Sequence, residues 1–210
     1  MTDLEIFEHF DVVIVDSHIV YASGKHGSTY VDKDALYPNT RTISKLCKKI
    51  ALNFYNGDRV DTVIAPAMGG VILSQRVAEH LTEITRGTVF AVYAEKALTH
   101  TGFIIKPSYH KYVAGKRLLV VEDILNTGGT AAKVIATVRQ IGGNVVGLGA
   151  LCNRGGVTSE DVGGVPTLKS LVNIKLDSWD EKDCPLCKSG VPINTKVGHG
   201  REFLERQQKA

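Results

Sequence analysis

Two adjacent carboxylates, Glu122 and Asp123, close the apolar run Leu118–Val121 and stand just ahead of Thr127-Gly128-Gly129-Thr130. Each residue type in this stretch has a chemical use. Glycines let backbone N–H groups turn toward an anion, and a helix that begins there adds the positive end of its dipole. The hydroxyls of Thr127 and Thr130 and the amide of Asn126 are further donors to an anion. One loop away, the two carboxylates can accept hydrogen bonds from the hydroxyls of a sugar. The chemistry indicated is the gripping of a sugar phosphate. A tight turn with water-facing acids would account for two glycines, but not for the order of the whole stretch Leu118–Thr130. No Gly-Lys-Ser/Thr follows and the Gly-x-Gly-x-x-Gly spacing is absent, so neither a Walker loop nor a dinucleotide fingerprint is present.

A second loop of the same kind is Ala65-Pro66-Ala67-Met68-Gly69-Gly70, which also ends an apolar run and opens a helical pattern. Ala67, Met68 and Gly69 are its candidate anion contacts. The segment Ala94–Lys116 holds Lys96, His100, Lys106, His110, Lys111 and Lys116. It reads either as a solvated basic loop or as a lid that shuts water out and neutralises phosphate charge. Arg154, in Asn153-Arg154-Gly155-Gly156, carries a planar fork that suits a carboxylate; a surface arginine is the alternative. Cys184-Pro185-Leu186-Cys187 is a single Cys-x-x-Cys pair. His199 is a possible third zinc ligand and a dimer mate a possible source of the fourth; otherwise these are plain thiols, because a closed site needs four ligands.

The elements that must position these residues follow from the hydrophobic pattern. Short buried runs at Thr62–Ala67, Thr88–Ala94, Arg117–Val121 and Asn144–Leu151 alternate with helical patterns at Gly69–Thr85 and Thr130–Ile141. Such alternation predicts an α/β fold, a mostly parallel sheet with flanking helices. Ligands of such sheets bind beyond the carboxyl ends of the strands, where both glycine loops fall. Upstream, Leu4, Ile6, Phe7 and Phe10 mark a short helix. His18–Ala22 and Ser28–Asp32 flank a turn and predict a hairpin. Ile43, Leu46, Cys47, Ile50 and Phe54 predict a helix after Pro38. Lys96–Gly115 shows no convincing element, and Thr167–Leu176 predicts one more strand before an irregular tail.

The chain has 210 residues, 43% hydrophobic and 22% charged, with a net charge of +3. These values predict a globular protein and give no basis for nucleic acid or a membrane surface as partner. No boundary is visible, so one domain is expected: a core over 35–150, smaller elements over 1–34 and 151–183, and a tail over 184–210. No apolar run reaches a membrane span, and the acidic start does not look like a secretory signal. The expected compartment is the cytoplasm, with Cys47, Cys152, Cys184 and Cys187 reduced.

The stretch Leu118–Thr130 resembles the phosphoribosyl-diphosphate (PRPP) motif of the type I phosphoribosyltransferases, with Asn126 in place of a threonine or small residue. The resemblance implies that Glu122 and Asp123 hold the ribose hydroxyls and that Asn126–Thr130 hold the 5′-phosphate. Ala65–Gly70 is similar to the pyrophosphate loop of the orotate phosphoribosyltransferases, Ala65 replacing a glycine. Ser23–Asp32 resembles their Ser-Gly-Lys-x-Ser-x-Tyr-Tyr hairpin, which places Lys25 near the base. Tyr93-Ala94-Glu95-Lys96 resembles the start of their lysine-bearing loop, which implies roles for Lys96 and His100 and a homodimer that shares the loop. Asn153-Arg154 stands where the family has Asp-Arg, and implies Arg154 on the orotate carboxylate. The implied activity is Mg²⁺-dependent transfer of phosphoribose from PRPP to orotate, on a type I phosphoribosyltransferase fold with a small hood made by the N-terminal hairpin and the later strand. A purine or xanthine enzyme, or a PRPP-sensing regulator, remains the alternative.

Overall fold

The computed structural model describes residues 3–9, 12–21, 23–32, 35–56, 59–97, 102–174 and 177–207. The chain forms two compact units, one of Asn39–Ile174 and one of Met1–Pro38 with Lys175–Ala210.

The larger unit is built on a six-stranded sheet. Its strands are β5 (Thr62–Pro66), β6 (Phe90–Lys96), β7 (Phe103–Ile104), β8 (Arg117–Leu125), β9 (Asn144–Asn153) and β10 (Leu168–Asn173), in the spatial order β10-β9-β8-β5-β6-β7. All neighbours run parallel except β6 and β7, which form an antiparallel hairpin. The predicted α/β fold is therefore the one observed. Strand β8 runs four residues past the end of its apolar stretch. Strand β9 continues beside it, pairing Glu122 with Ala150, Ile124 with Cys152 and Leu125 with Asn153. The two carboxylates are thus strand residues, not loop residues. The late strand expected in a hood is β10, which pairs with β9 through Leu168↔Leu148 to Asn173↔Asn153 and so forms the edge of the main sheet.

Three helices flank this sheet: α2 (Thr40–Phe54), α3 (Gly70–Thr85) and α4 (Gly129–Gln140). Helix α2 starts where Asn39 Oδ1 accepts the Thr42 N–H at 3.0 Å, the usual cap for an orphan first-turn donor. It buries Ile43, Leu46, Cys47, Ile50 and Phe54, the stripe read from the spacing. On the α4 side, Val134, Ile135 and Val138 pack with Ile64, Val92, Leu118, Val120 and Leu148 in one continuous core. At about 25 cal/mol per Å² of apolar surface, this burial is the main force holding the strands level with one another.

The twenty-residue stretch without predicted structure is more ordered than its composition implied. It contains β7 and a 3₁₀ helix, Pro107–Tyr112, with proline at the start where a missing N–H costs nothing. Phe103, Tyr109 and Tyr112 pack against the core.

The smaller unit has only short elements: α1 (Asp3–His9), β1 (Val13–Ile14), β2 (Ile19–Val20), β3 (His26–Gly27), β4 (Tyr30–Val31), α5 (Pro185–Lys188) and α6 (Gly200–Gln207). The hairpin differs from the expected one: β2 pairs with His26–Gly27, within the predicted turn, while Tyr30–Val31 of the predicted second strand pairs with β1, both antiparallel. Its outer edge is continued from the far end of the chain, where His26 and Trp179 exchange backbone hydrogen bonds of 2.8 Å. Of the stripe predicted for α1, Ile6 and Phe7 are buried; Phe10 and the side chain of Leu4 lie outside what is described. No helix among the described residues is long and apolar enough to cross a membrane.

Candidate active site at the carboxyl edge of the sheet

The strand order reverses between β5 and β8. The chain leaves β5 through α3 to β6 on one side, and leaves β8 through α4 to β9 on the other. A crevice opens at such a switch point because the two outgoing loops diverge. The register sets both loops at one level. Ile64 pairs with Val120 and Pro66 with Ala94, so β5, β6 and β8 all end toward the same edge.

The loop after β8 is the predicted anion cradle. Gly128 sits at φ +74°, and a Cβ there would lie 2.9 Å from methyl groups of both Val157 and Val162. Only glycine satisfies the conformation and the space together. Helix α4 then begins with no side-chain cap, so its first-turn N–H groups face the loop, apart from a long contact of 3.4 Å between Gly129 N–H and Thr127 Oγ1. An uncapped N-terminus of this kind offers donors and a positive potential to an anion. A small cleft of about 70 Å³ lies here, lined by Glu122 and by every residue from Ile124 to Ala131. Asn126, Thr127, Gly128, Gly129 and Thr130 are therefore brought together as expected.

The two acids are not equivalent. Glu122 lines the cleft, while Asp123 is absent from its wall and accepts the Ile124 N–H at 2.7 Å through Oδ1. Both are buried, at 6% and 4% exposure. Successive strand residues face opposite sides of a sheet, which explains the split. Glu122 Oε1 also accepts the Asp123 N–H at 3.2 Å.

The loop after β5 begins as Ala67 N–H bonds Ala94 O at 2.7 Å, and it turns through a cis peptide bond between Ala67 and Met68. The Met68 side chain is 87% exposed and Gly69 precedes α3, which likewise has no side-chain cap. Two uncapped helix starts thus flank the switch point, whereas α2, away from it, is capped.

Arg154 follows the end of β9. Its N–H and that of Gly155 both reach Leu125 O, at 2.9 and 3.2 Å. A Cβ on Gly155 would overlap the Asn126 carbonyl, so this loop packs directly on the phosphate loop. Asn153 is buried and closes the turn, donating to Val157 O at 2.9 Å and accepting the Val157 N–H at 3.0 Å. An amide can do both, which a carboxylate cannot. Asn153 and Gly155 are structural supports of the site that sequence reasoning did not assign; their signal was only their place beside Arg154.

Lys96 ends β6 and is exposed on the β6–β7 hairpin, opposite Phe103. His100 lies outside the described residues. Three other basic groups of this segment are engaged elsewhere. Lys106 Nζ lies 2.9 Å from Glu95 Oε1, which raises its pKa through the hydrogen bond and the opposite charge. His110 Nε2 contacts Ile105 O at 3.1 Å, and Lys111 lies over the Tyr112 ring. Lys25 belongs to the smaller unit, where its Nζ stands 3.7 Å from Asp180 Oδ1.

In that smaller unit Cys184 and Cys187 do not meet His199, whose Nδ1 stands 3.9 Å from Glu202 Oε1. They meet His18 and His26 instead. Sequence alone assigns neither histidine, because nothing local links them to a Cys-x-x-Cys pair about 160 residues away.

A family model of the phosphoribosyl transferase domain matches residues 33–183. The orotate phosphoribosyltransferase of Caldanaerobacter subterraneus subsp. tengcongensis is 36% identical over 196 residues, covering 90% of this chain and 93% of that protein. That of Thermotoga maritima is 36% identical over 188 residues, covering 89% and 93%. Among solved structures, the orotate phosphoribosyltransferase from Aeropyrum pernix matches with a TM-score of 0.64 at 22% identity, over 90% of this chain and 98% of that one. The adenine phosphoribosyltransferase from Thermoanaerobacter pseudethanolicus matches with a TM-score of 0.61 at 19% identity, over 81% and 99%; these two likenesses establish the fold. With a family model spanning most of its length and relatives of this identity, the chain belongs to the type I phosphoribosyltransferase family.

Proposed function

We propose that the protein transfers the 5-phosphoribosyl group of PRPP to orotate, releasing pyrophosphate and forming orotidine 5′-monophosphate. The single observation that carries this reading is the pair of uncapped helix starts on either side of the β5–β8 switch point, with Glu122 in the cleft beside one of them. PRPP has a phosphate at one end and a pyrophosphate at the other, so it requires two cradles. The curated relatives of about this length are orotate phosphoribosyltransferases.

In the reaction the bond from C1 of the ribose to the pyrophosphate oxygen breaks, and a bond from C1 to a ring nitrogen of orotate forms, that nitrogen's proton leaving to solvent. Asn126–Thr130 hold the 5′-phosphate through backbone N–H and hydroxyl donors. Glu122 accepts from the ribose hydroxyls in the cleft, and its negative charge, with that of Asp123 buried beside it, favours the cation-like sugar that develops as the bond breaks. Ala67–Gly69 hold the leaving pyrophosphate at the start of α3, and Lys96 neutralises its charge. Arg154 takes the orotate carboxylate in a two-pronged hydrogen bond that no purine can supply. No side-chain nucleophile is required, so catalysis is positioning plus charge stabilisation.

The donor set at the end of β8 consists of buried carboxylate oxygens, hard ligands of the type that suit Mg²⁺. Glu122 would hold the ion together with oxygens of the donor, with the charge of Asp123 nearby, and the ion would offset pyrophosphate charge when bound. We further infer a homodimer that shares the Lys96 loop, and a cytoplasmic setting in which the thiols remain reduced.

The test is loss of orotate absorbance on mixing the protein with PRPP and Mg²⁺, run beside adenine and xanthine. Orotate should be consumed and the purines left. Consumption of a purine alone, or PRPP binding with no base turned over, would overturn the reading.

A further inference from the structure

The proposed reaction leaves unused four side chains that converge in the smaller unit. His18, His26 and Cys184 are buried and Cys187 lies at their edge, and one ligand atom from each falls within 4.8 Å of all the others. His18 Nε2 is 3.6 Å from both Cys184 Sγ and Cys187 Sγ, and Cys187 Sγ is 3.3 Å from His26 Nδ1. Around a tetrahedral zinc ion, with Zn–N about 2.0–2.1 Å and Zn–S about 2.3 Å, a nitrogen and a sulfur ligand stand about 3.6 Å apart. The two nitrogens, 2.9 Å apart here, would stand about 3.3 Å apart, a separation of a few tenths of an ångström.

Proton counting points the same way. His18 Nδ1 lies 2.7 Å from Val191 O, which can only accept, so this nitrogen carries the proton and Nε2 is bare. Without a cation, His26 Nδ1–H, 2.9 Å away, takes that one lone pair, and the two sulfurs 3.6 Å from it are left without it. The remaining nitrogen, His26 Nε2, is then a bare acceptor, buried with no hydrogen-bond partner. A cation at the centre ends the contest for that lone pair, because all four atoms then direct lone pairs at the ion and Nε2 carries the proton of the His26 ring. The Val191 carbonyl becomes the outer contact that orients a ligating imidazole.

We propose that His18 Nε2, His26 Nδ1, Cys184 Sγ and Cys187 Sγ bind one zinc ion that joins the N-terminal hairpin to the C-terminal arm. Two thiols lose their protons to solvent on binding, and the two thiolates balance the charge of the ion. Two sulfurs with two imidazoles in a closed tetrahedral set select zinc over the oxygen-seeking cations. The site is structural, since no ligand position is left open. The unit has reason to need it: among the described residues its strands are two residues long and its helices at most eight. Units with so little core rely on a metal or disulfide. His199 is not a ligand.

The measurement is metal content of the full chain, purified without chelator or histidine tag, together with cobalt(II) substitution of the reduced protein. About one zinc per chain is expected. Cobalt should give the intense visible bands of a tetrahedral ion with a thiolate charge-transfer band. Cys187→Ser, at the exposed ligand, should lose zinc and shift the cobalt spectrum, while His199→Ala should keep both. Reduced wild type that takes up no zinc from an equimolar addition overturns the site. So does a six-coordinate cobalt spectrum, or a native mass showing the loss of two hydrogens to a Cys184–Cys187 disulfide. The wild-type cobalt spectrum decides the matter even if a ligand variant fails to fold.

Discussion

Gly155 rests on the main chain of Asn126, so closely that a methyl group has no room between them. The loop proposed to read the base and the loop proposed to hold the phosphate therefore move as one. Both N–H groups at 154 and 155 anchor to Leu125 O, the last residue of β8. Gly155→Ala must push one loop off the other. The expected result is a fall in kcat/KM of about tenfold or more, with KM rising for both substrates, since misplacement of about 1 Å can cost about a hundredfold. Gly87→Ala, whose Cβ would meet nothing closer than 3.6 Å, should leave the kinetics unchanged. A Gly155→Ala enzyme with wild-type constants would show that the two loops are not coupled.

Arg154 separates base recognition from donor binding. Removing a charged hydrogen-bond partner costs about 1.5–3 kcal/mol, or roughly 10- to 150-fold. Arg154→Ala should lose that much in kcat/KM for orotate while its dissociation constant for PRPP, measured by calorimetry, stays within about threefold. Arg154→Lys should recover only part of the loss, because an ammonium cannot present the planar fork. Equal losses for orotate and for PRPP binding would place Arg154 on the donor instead.

Much of this site was legible in the sequence because its parts are local. Strand, acid pair, glycine turn and helix follow one another from Leu118 to Thr130, and periodicity alone marks the strand and the helix. The apolar stripe of α2 is legible for the same reason. What could not be read depends on contacts between distant segments. Lys106 looked like a free lid cation, but Glu95 across the β6–β7 hairpin holds it. Asn153 looked like a departure from a catalytic pattern, yet its amide closes the turn that carries Arg154. His18 and His26 acquire meaning only beside Cys184 and Cys187. The end of β8 was misjudged because hydrophobicity stops at Val121, whereas pairing with β9 continues to Leu125.

Acid stability should depend on Asp61, at the opposite edge of the sheet. Its carboxylate accepts the Arg117 N–H at 3.0 Å and the Arg117 Nε and Nη2 donors at 3.1 and 3.2 Å. The Arg117 hydrogen bonds hold its pKa below the ordinary carboxylate value, outweighing burial, and Arg59 adds charge. A lowered folded-state pKa contributes stability that is full above the unfolded value of about 3.9 and is lost as pH falls through the folded value. Arg117 is 40% exposed, so water screens the pair and the contribution is about 1 kcal/mol or less. Asp61→Asn should therefore lower the melting temperature slightly at neutral pH, with the gap to wild type closing below about pH 4. A gap that widens on acidification would show that the carboxylate is not the stabilising form.

The four cysteines should divide sharply in reactivity. Burial pushes the thiol of Cys47 up to about 12 and that of Cys152 up to about 11. Near pH 8 these leave only about one thiolate in ten thousand and one in a thousand, and both side chains are buried in the folded core. Iodoacetamide should reach them only when the large unit opens, so their labelling rate should follow added denaturant. Cys187 is exposed and should label quickly in protein stripped of metal and kept reduced. Zinc should protect it, since coordination draws charge from the thiolate and lowers its nucleophilicity. Peptide mapping after a short pulse resolves all four sites. Rapid native labelling of Cys47 or Cys152 would contradict their burial, and equal labelling of Cys187 with and without zinc would remove it from the metal site.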